Sequence, residues 1–362
     1  MISLLFDFMR NFQMPSISDL IMASPQLEVQ LTLTIFHTVI WYFLIFYVFY
    51  PFVVRMISSL QNKKQFIHYN RETFKKLMMW DIGDVEEEQV ETIATIDAVV
   101  LQHLIGGMLC LPSALGLSTM LPAGVASAMA CHGGISEIGY EVSDMMVRFY
   151  EIIFGAEKGR RKNPPSVIFG LVAHHSAACC LVLPMNIYYR DNTYFHEAVC
   201  SLQLAAFTAF YLQQYGFTLN VKRQEGLTKM KISISMSLAI IVWTRVIRYG
   251  WLWQILLTTL WEDQNWIVMK FCVPPFILMS FFNVGVLIDA SAKFAKFVPM
   301  SIIQASDNSI KDKAIDSTSG LRDVRTTGTF HGLIETQKKM LNVAKRFAFR
   351  DSTRLKKIDK MG

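Results

Sequence analysis

The sequence predicts an all-α membrane protein with seven transmembrane helices, and three observations predict it. Of its 362 residues, 52% are apolar and only 18% charged, a balance suited to a bilayer. Apolar runs long enough to span a hydrocarbon core, about 20 residues each, recur at 28–54, 95–118, 121–153, 165–188, 197–219, 232–260 and 267–296. Lys and Arg then cluster in alternate gaps between those runs.

The opening MISLLFDFMRNFQMPS is short and interrupted by Asp7 and Arg10, so it does not read as a cleavable signal peptide. The first run leads into Arg55, Lys63, Lys64, Arg71, Lys75 and Lys76, then into an acidic half from Asp81 to Glu91; this stretch reads as a cytoplasmic connector. The third run is followed by Lys158, Arg160, Arg161 and Lys162, and the fifth by Lys222, Arg223, Lys229 and Lys231. The opposite side carries Arg10 and Arg190 beside Asp7, Asp19, Glu28, Glu262 and Asp263. Basic residues in short loops stay cytoplasmic, so the predicted topology is N-out and C-in.

Three regions result: residues 1–92 with the first span and its connector, 93–300 with six closely joined spans, and 301–362 as a soluble tail. Between 338 and 360 the tail holds nine Lys or Arg against Asp351 and Asp359. An apolar stripe of Phe330, Leu333, Ile334, Leu341, Ala344 and Phe347 runs beside them, which suits either an amphipathic helix on an anionic membrane surface or a solvated basic tail. The rest of the chain is close to neutral, and no nucleic-acid partner is predicted. All six cysteines fall inside spans, without the spacing of a zinc site or a disulfide framework.

Ionisable groups cost several kcal/mol each in hydrocarbon and so face a bundle interior or a cavity. His103 lies in the second span. The third holds His132, Glu137, Glu141, Asp144 and Arg148, the last four at spacings that put them on one helical stripe. The fourth contains GLVAHHSAACC, residues 170–180, with His174 and His175 side by side among small residues. His196 and Glu197 open the fifth, Arg245 and Arg248 lie one turn apart in the sixth, and the seventh has Asn283, Asp289 and Lys293. Adjacent imidazoles on a helix point about 100° apart and suit proton transfer or nucleophilic attack near neutral pH. The histidines and carboxylates lack a usual ligand spacing, so no metal centre is expected.

Spans two to seven resemble the TLC domain, the family of TRAM, Lag1 and ceramide synthases. The third span's EIGYEVSDMM is similar to the family's G-Y-x-x-x-D through Gly139, Tyr140 and Asp144. His174–His175 followed by His196–Glu197 resembles the ceramide synthase double histidine with its later H-D-x-S-D, and VWTRVIRYGWLW resembles a T-R stretch through Thr244 and Arg245. Glu197 stands where that signature has its first Asp, and Cys200 where it has its second. The resemblance implies a six-helix bundle in the endoplasmic reticulum or a related endomembrane. It also implies an acyl-CoA-dependent lipid acyltransferase with acyl-CoA as co-substrate, a sphingoid base as acceptor and no tightly bound cofactor. On that reading His174, His175, His196 and Glu197 carry the reaction, while Tyr140, Asp144, Glu141, His103 and Arg245 line the substrate. A non-enzymatic protein that binds lipid or regulates membrane lipid composition is the alternative, favoured by Cys200. IDASAK, residues 288–293, resembles the retinal-lysine helix of microbial rhodopsins, but no counter-ion pattern accompanies it.

Overall fold

The computed structural model describes residues 13–77 and 80–301. The chain divides into units 1–305 and 306–362; the second, with its basic stripe, lies outside the described residues, as does most of the N-terminal segment. Among the described residues there are helices and no strand. A short α1 (Ile17–Ile21) precedes α2 (Leu27–Ser58) and α3 (Lys63–Leu77). Then come α4 (Glu86–Ala114), α5 (Val125–Phe154), the short α6 (Ala156–Lys162), α7 (Pro165–Tyr188) and α8 (Thr193–Thr218). The last two are α9 (Gln224–Glu262) and α10 (Trp266–Phe297).

Each predicted run falls on one of seven helices of 24 to 39 residues. Five of these, α2, α4, α7, α9 and α10, are long and apolar enough to cross a membrane. Helices α5 and α8 are of similar length, at 30 and 26 residues, but bury polar groups such as Glu141, Asp144, Arg148, His196, Gln203 and Gln214. Large apolar side chains point outward, among them Phe36, Phe43 and Tyr47 of α2 and Ile277 and Phe281 of α10. Such a surface is compatible with a helical bundle facing lipid.

Boundaries differ from the sequence reading where polar residues are helical. The acidic residues Glu86, Glu87 and Glu88 form the first turn of α4, where carboxylates complement the positive end of the helix dipole. Helix α9 likewise begins eight residues before its apolar run, at Gln224. Two helices contain a π-turn. The one in α2, Leu44–Phe49, lies just before Pro51, whose missing N–H removes a ladder bond. The one in α9, Trp243–Arg248, contains both arginines.

Helix α5 packs against α2, α4 and α7, while α4 and α9 flank α8, and α7 and α9 meet α10. Small residues permit the closest approaches. A Cβ on Gly139 would sit 2.5 Å from His37 Cβ and 2.8 Å from the Thr38 nitrogen of α2, and one on Gly133 would sit 2.6 Å from the Gly106 carbonyl of α4. An apolar cluster around Phe66, Phe74, Trp80, Ile93, Phe217 and Met230 fills the end of the bundle near α3. Another around Phe195, Leu252, Trp253 and Leu256 fills the opposite half. The polar groups of α5 and α7 lie between.

Candidate functional site

Helix α5 presents Glu137, Tyr140, Glu141, Asp144 and Arg148 at spacings of three and four, and α7 brings His174 and His175 against it. The Glu141 side chain is 0% exposed, and its Oε1 lies 4.0 Å from His174 Nε2. That oxygen accepts no hydrogen bond, although Oε2 receives the Cys179 thiol at 3.9 Å. One turn earlier, Glu137 Oε2 meets His103 Nδ1 of α4 at 3.1 Å. The Tyr140 ring stands edge-on to both His103 and His175, with centroids 6.2 and 6.0 Å apart. Five sequence candidates, His103, Tyr140, Glu141, His174 and His175, therefore converge on one layer.

The two adjacent histidines divide as neighbours on a helix must. His175 is buried against Tyr140. His174 faces Glu141 and stacks on Phe282 of α10, with ring centroids 4.6 Å apart at 25°. The Arg245 guanidinium of α9 lies 5.9 Å from the centroid of that same Phe282 ring. It donates to Asn283 Oδ1 at 2.8 Å and to the Leu202 carbonyl at 3.3 Å. Arg245 therefore joins the layer and ties α9 to α8 and α10. Arg248, in the same π-turn, bonds instead to Glu197 of α8.

Glu197 and His196 lie apart from the double histidine, each with a partner of its own. Glu197 accepts two hydrogen bonds from Arg248, at 2.5 and 2.8 Å, and Arg248 lies over Trp251 at 3.9 Å. His196 bonds through Nδ1 to Ser113 of α4 at 2.7 Å. Ser113 and His103 are ten residues apart on α4, about 15 Å at 1.5 Å per residue. His196 therefore sits at a different depth from the double histidine. The carboxylate that meets His174 comes from Glu141. Asp144 is likewise committed: it pairs with Arg148 at 2.8 Å, Arg148 donates to Asn163 at 3.0 Å, and Asn163 donates to Glu151 at 2.7 Å. That network ties α5 to the segment after α6.

Glu137 belongs to the layer but was only part of a stripe in the sequence, and Phe282 carried no polar signal at all. The i, i+4 spacing of Glu137 and Glu141 was the legible sign that both carboxylates face one neighbour. With His174 they offer ligand atoms that all lie within 4.8 Å of one another, an N/O set that ligand spacing in the sequence did not favour. No protein-family model, curated protein or solved structure gives a significant match to this chain.

Proposed function

We propose that the chain is a multi-pass membrane protein of an endomembrane, seven-spanning with its N-terminus outside. On this reading it acts on lipids as an acyl-CoA-dependent N-acyltransferase of TLC type. The observation that carries the reading is the approach of Glu141 Oε1 to His174 Nε2 at 4.0 Å inside a bundle of apolar helices. An imidazole that must gain a proton in a medium of low dielectric needs a fixed anion beside it, and a buried carboxylate supplies one.

The chemistry follows from that pair. The amine of a sphingoid-type acceptor attacks the thioester carbonyl, and His174 Nε2 takes the proton the amine loses. The Glu141 carboxylate stabilises the imidazolium while it exists. The C–N bond forms, the C–S bond breaks, and the proton passes to the departing thiolate, so that an amide and CoA thiol leave and the imidazole is restored. Phe282 fixes the plane of the His174 ring, and His103 fixes Glu137 beside it.

The test is transfer of labelled acyl chains from acyl-CoA to sphinganine by membranes expressing wild type or His174→Ala at matched protein levels. Transfer by the wild type and its loss in the variant are expected. Equal, background-level transfer in both overturns the proposal, and the non-enzymatic lipid-binding alternative then takes its place.

A further inference from the structure

We infer that Glu137, Glu141 and His174 form a binding site for a divalent transition-metal ion, Zn²⁺ or a close relative, between α5 and α7. The ligand atoms come from two helices and lie within 4.8 Å of one another. Donors around one such ion, at about 2.0–2.2 Å from it, stand roughly 3–4 Å apart, so rotation of the carboxylates closes the set without moving a helix.

A second observation, independent of the clustering, points to a cation. Glu141 is buried with its side chain 0% exposed, and its Oε1, the oxygen aimed at His174, accepts no hydrogen bond. Among the described residues neither Glu137 nor Glu141 has a Lys or Arg within ion-pair distance; their basic neighbours are His103 and His174. Arg245, the nearby guanidinium, is directed to Asn283 and Leu202. Two carboxylates in a poorly solvated layer whose only basic neighbours are imidazoles are costly unless paired or coordinated to a metal. One imidazole with two carboxylates suits Zn²⁺, Mn²⁺ or Fe²⁺.

The surroundings supply the outer contacts such a site uses. His103 Nδ1 lies 3.1 Å from Glu137 Oε2, where it orients that carboxylate as outer-shell groups orient ligands. Phe282 stacks on His174 and fixes its ring. The inference does not rest on acyl transfer. An ion at Nε2 would occupy the lone pair that takes the amine proton, so metal loading would inhibit that reaction.

The experiment uses the full chain purified in detergent with a tag free of histidine, stripped with EDTA and reloaded with Zn²⁺, with bound metal counted by mass spectrometry. About one ion per chain is expected. Glu141→Gln and His174→Gln should lose it, His103→Ala should bind about 10- to 100-fold more weakly, and Glu197→Gln should match the wild type. No bound metal in the wild type, or an unchanged count in both Glu141→Gln and His174→Gln, overturns the inference. Co²⁺ added to the wild type gives a readout free of any folding defect: visible d–d absorption that Zn²⁺ abolishes is expected, and its absence counts against the site. Acyl transfer is not read, so failure here and failure of the proposed activity remain distinguishable.

Discussion

Glu141 reaches across the α5–α7 contact to within 4.0 Å of His174 Nε2, and the oxygen that does so accepts no hydrogen bond. His175, the next residue, turns instead to the Tyr140 ring. The two histidines should therefore separate in their effects. His174→Gln is expected to lower acyl transfer by about 10² to 10⁴, the usual worth of a positioned acid–base group, with little change in thermal stability. His175→Gln is expected mainly to lower the melting temperature of the detergent-solubilised protein. Equal loss of activity with equal stability in both would contradict this division.

The stack of Phe282 on His174 predicts a positioning effect. Phe282→Ala frees the imidazole plane and should lower kcat tenfold or more, since a displacement of about 1 Å can cost 10²-fold. Phe282→Trp keeps an aromatic face and should recover most of the rate. A change in KM alone would contradict a positioning role.

Arg148 links Asp144 to Asn163, and through it to Glu151. Asp144 and Arg148 are both buried, and removing one partner of such a pair leaves an uncompensated charge. Arg148→Ala should therefore destabilise the fold by about 3–5 kcal/mol, read as an earlier midpoint in denaturant. Turnover per folded molecule should change little.

Gly139 is where α5 meets the backbone of α2. A Cβ there would lie 2.5 Å from His37 Cβ and 2.7 Å from the His37 carbonyl carbon, so the helices must part. Gly139→Ala is expected to cost about 1–3 kcal/mol, the range for overpacking a tight contact. An unchanged melting temperature would show that the two helices can separate freely.

At the start of α1, the Asp19 carboxylate accepts the Ser16 hydroxyl at 2.6 Å and the Ser24 hydroxyl at 3.1 Å. These bonds hold its pKa below the ordinary carboxylate value. A depressed folded-state pKa contributes stability that is present above the unfolded value and lost as pH falls through the folded one. Hydrogen exchange of residues 16–24 should therefore report a looser α1 as pH falls through the carboxylate range. Ser16→Ala should show the same loosening at neutral pH.

The long helices were legible in their order because apolar runs of spanning length are a strong one-dimensional signal, although only five of the seven are long and apolar enough to cross a membrane. The stripe Glu137–Glu141–Asp144–Arg148 was legible because helical spacing fixes a shared face. What the sequence left open were the partners. Glu197 follows His196 and stands where the signature it resembles has Asp, yet Arg248, in the π-turn Trp243–Arg248, donates to it. Sequence spacing does not reveal a π-turn, so it could not assign that carboxylate to an arginine. Phe282 shows the same limit from the other side, since an aromatic in an apolar run has no mark that sets it over an imidazole. Glu141 looked like a lining residue because its depth relative to His174 depends on how α5 and α7 pass one another.

Whether Glu141 or Glu197 is the carboxylate that works with His174 is decided by acyl transfer from acyl-CoA to sphinganine with the full chain in liposomes, comparing wild type, Glu141→Gln and Glu197→Gln at equal folded protein. Transfer by the wild type, near-background transfer by Glu141→Gln, and a rate within a few-fold of wild type for Glu197→Gln are expected. A Glu141→Gln protein that keeps its rate while Glu197→Gln loses it would overturn the proposed pairing of Glu141 with His174.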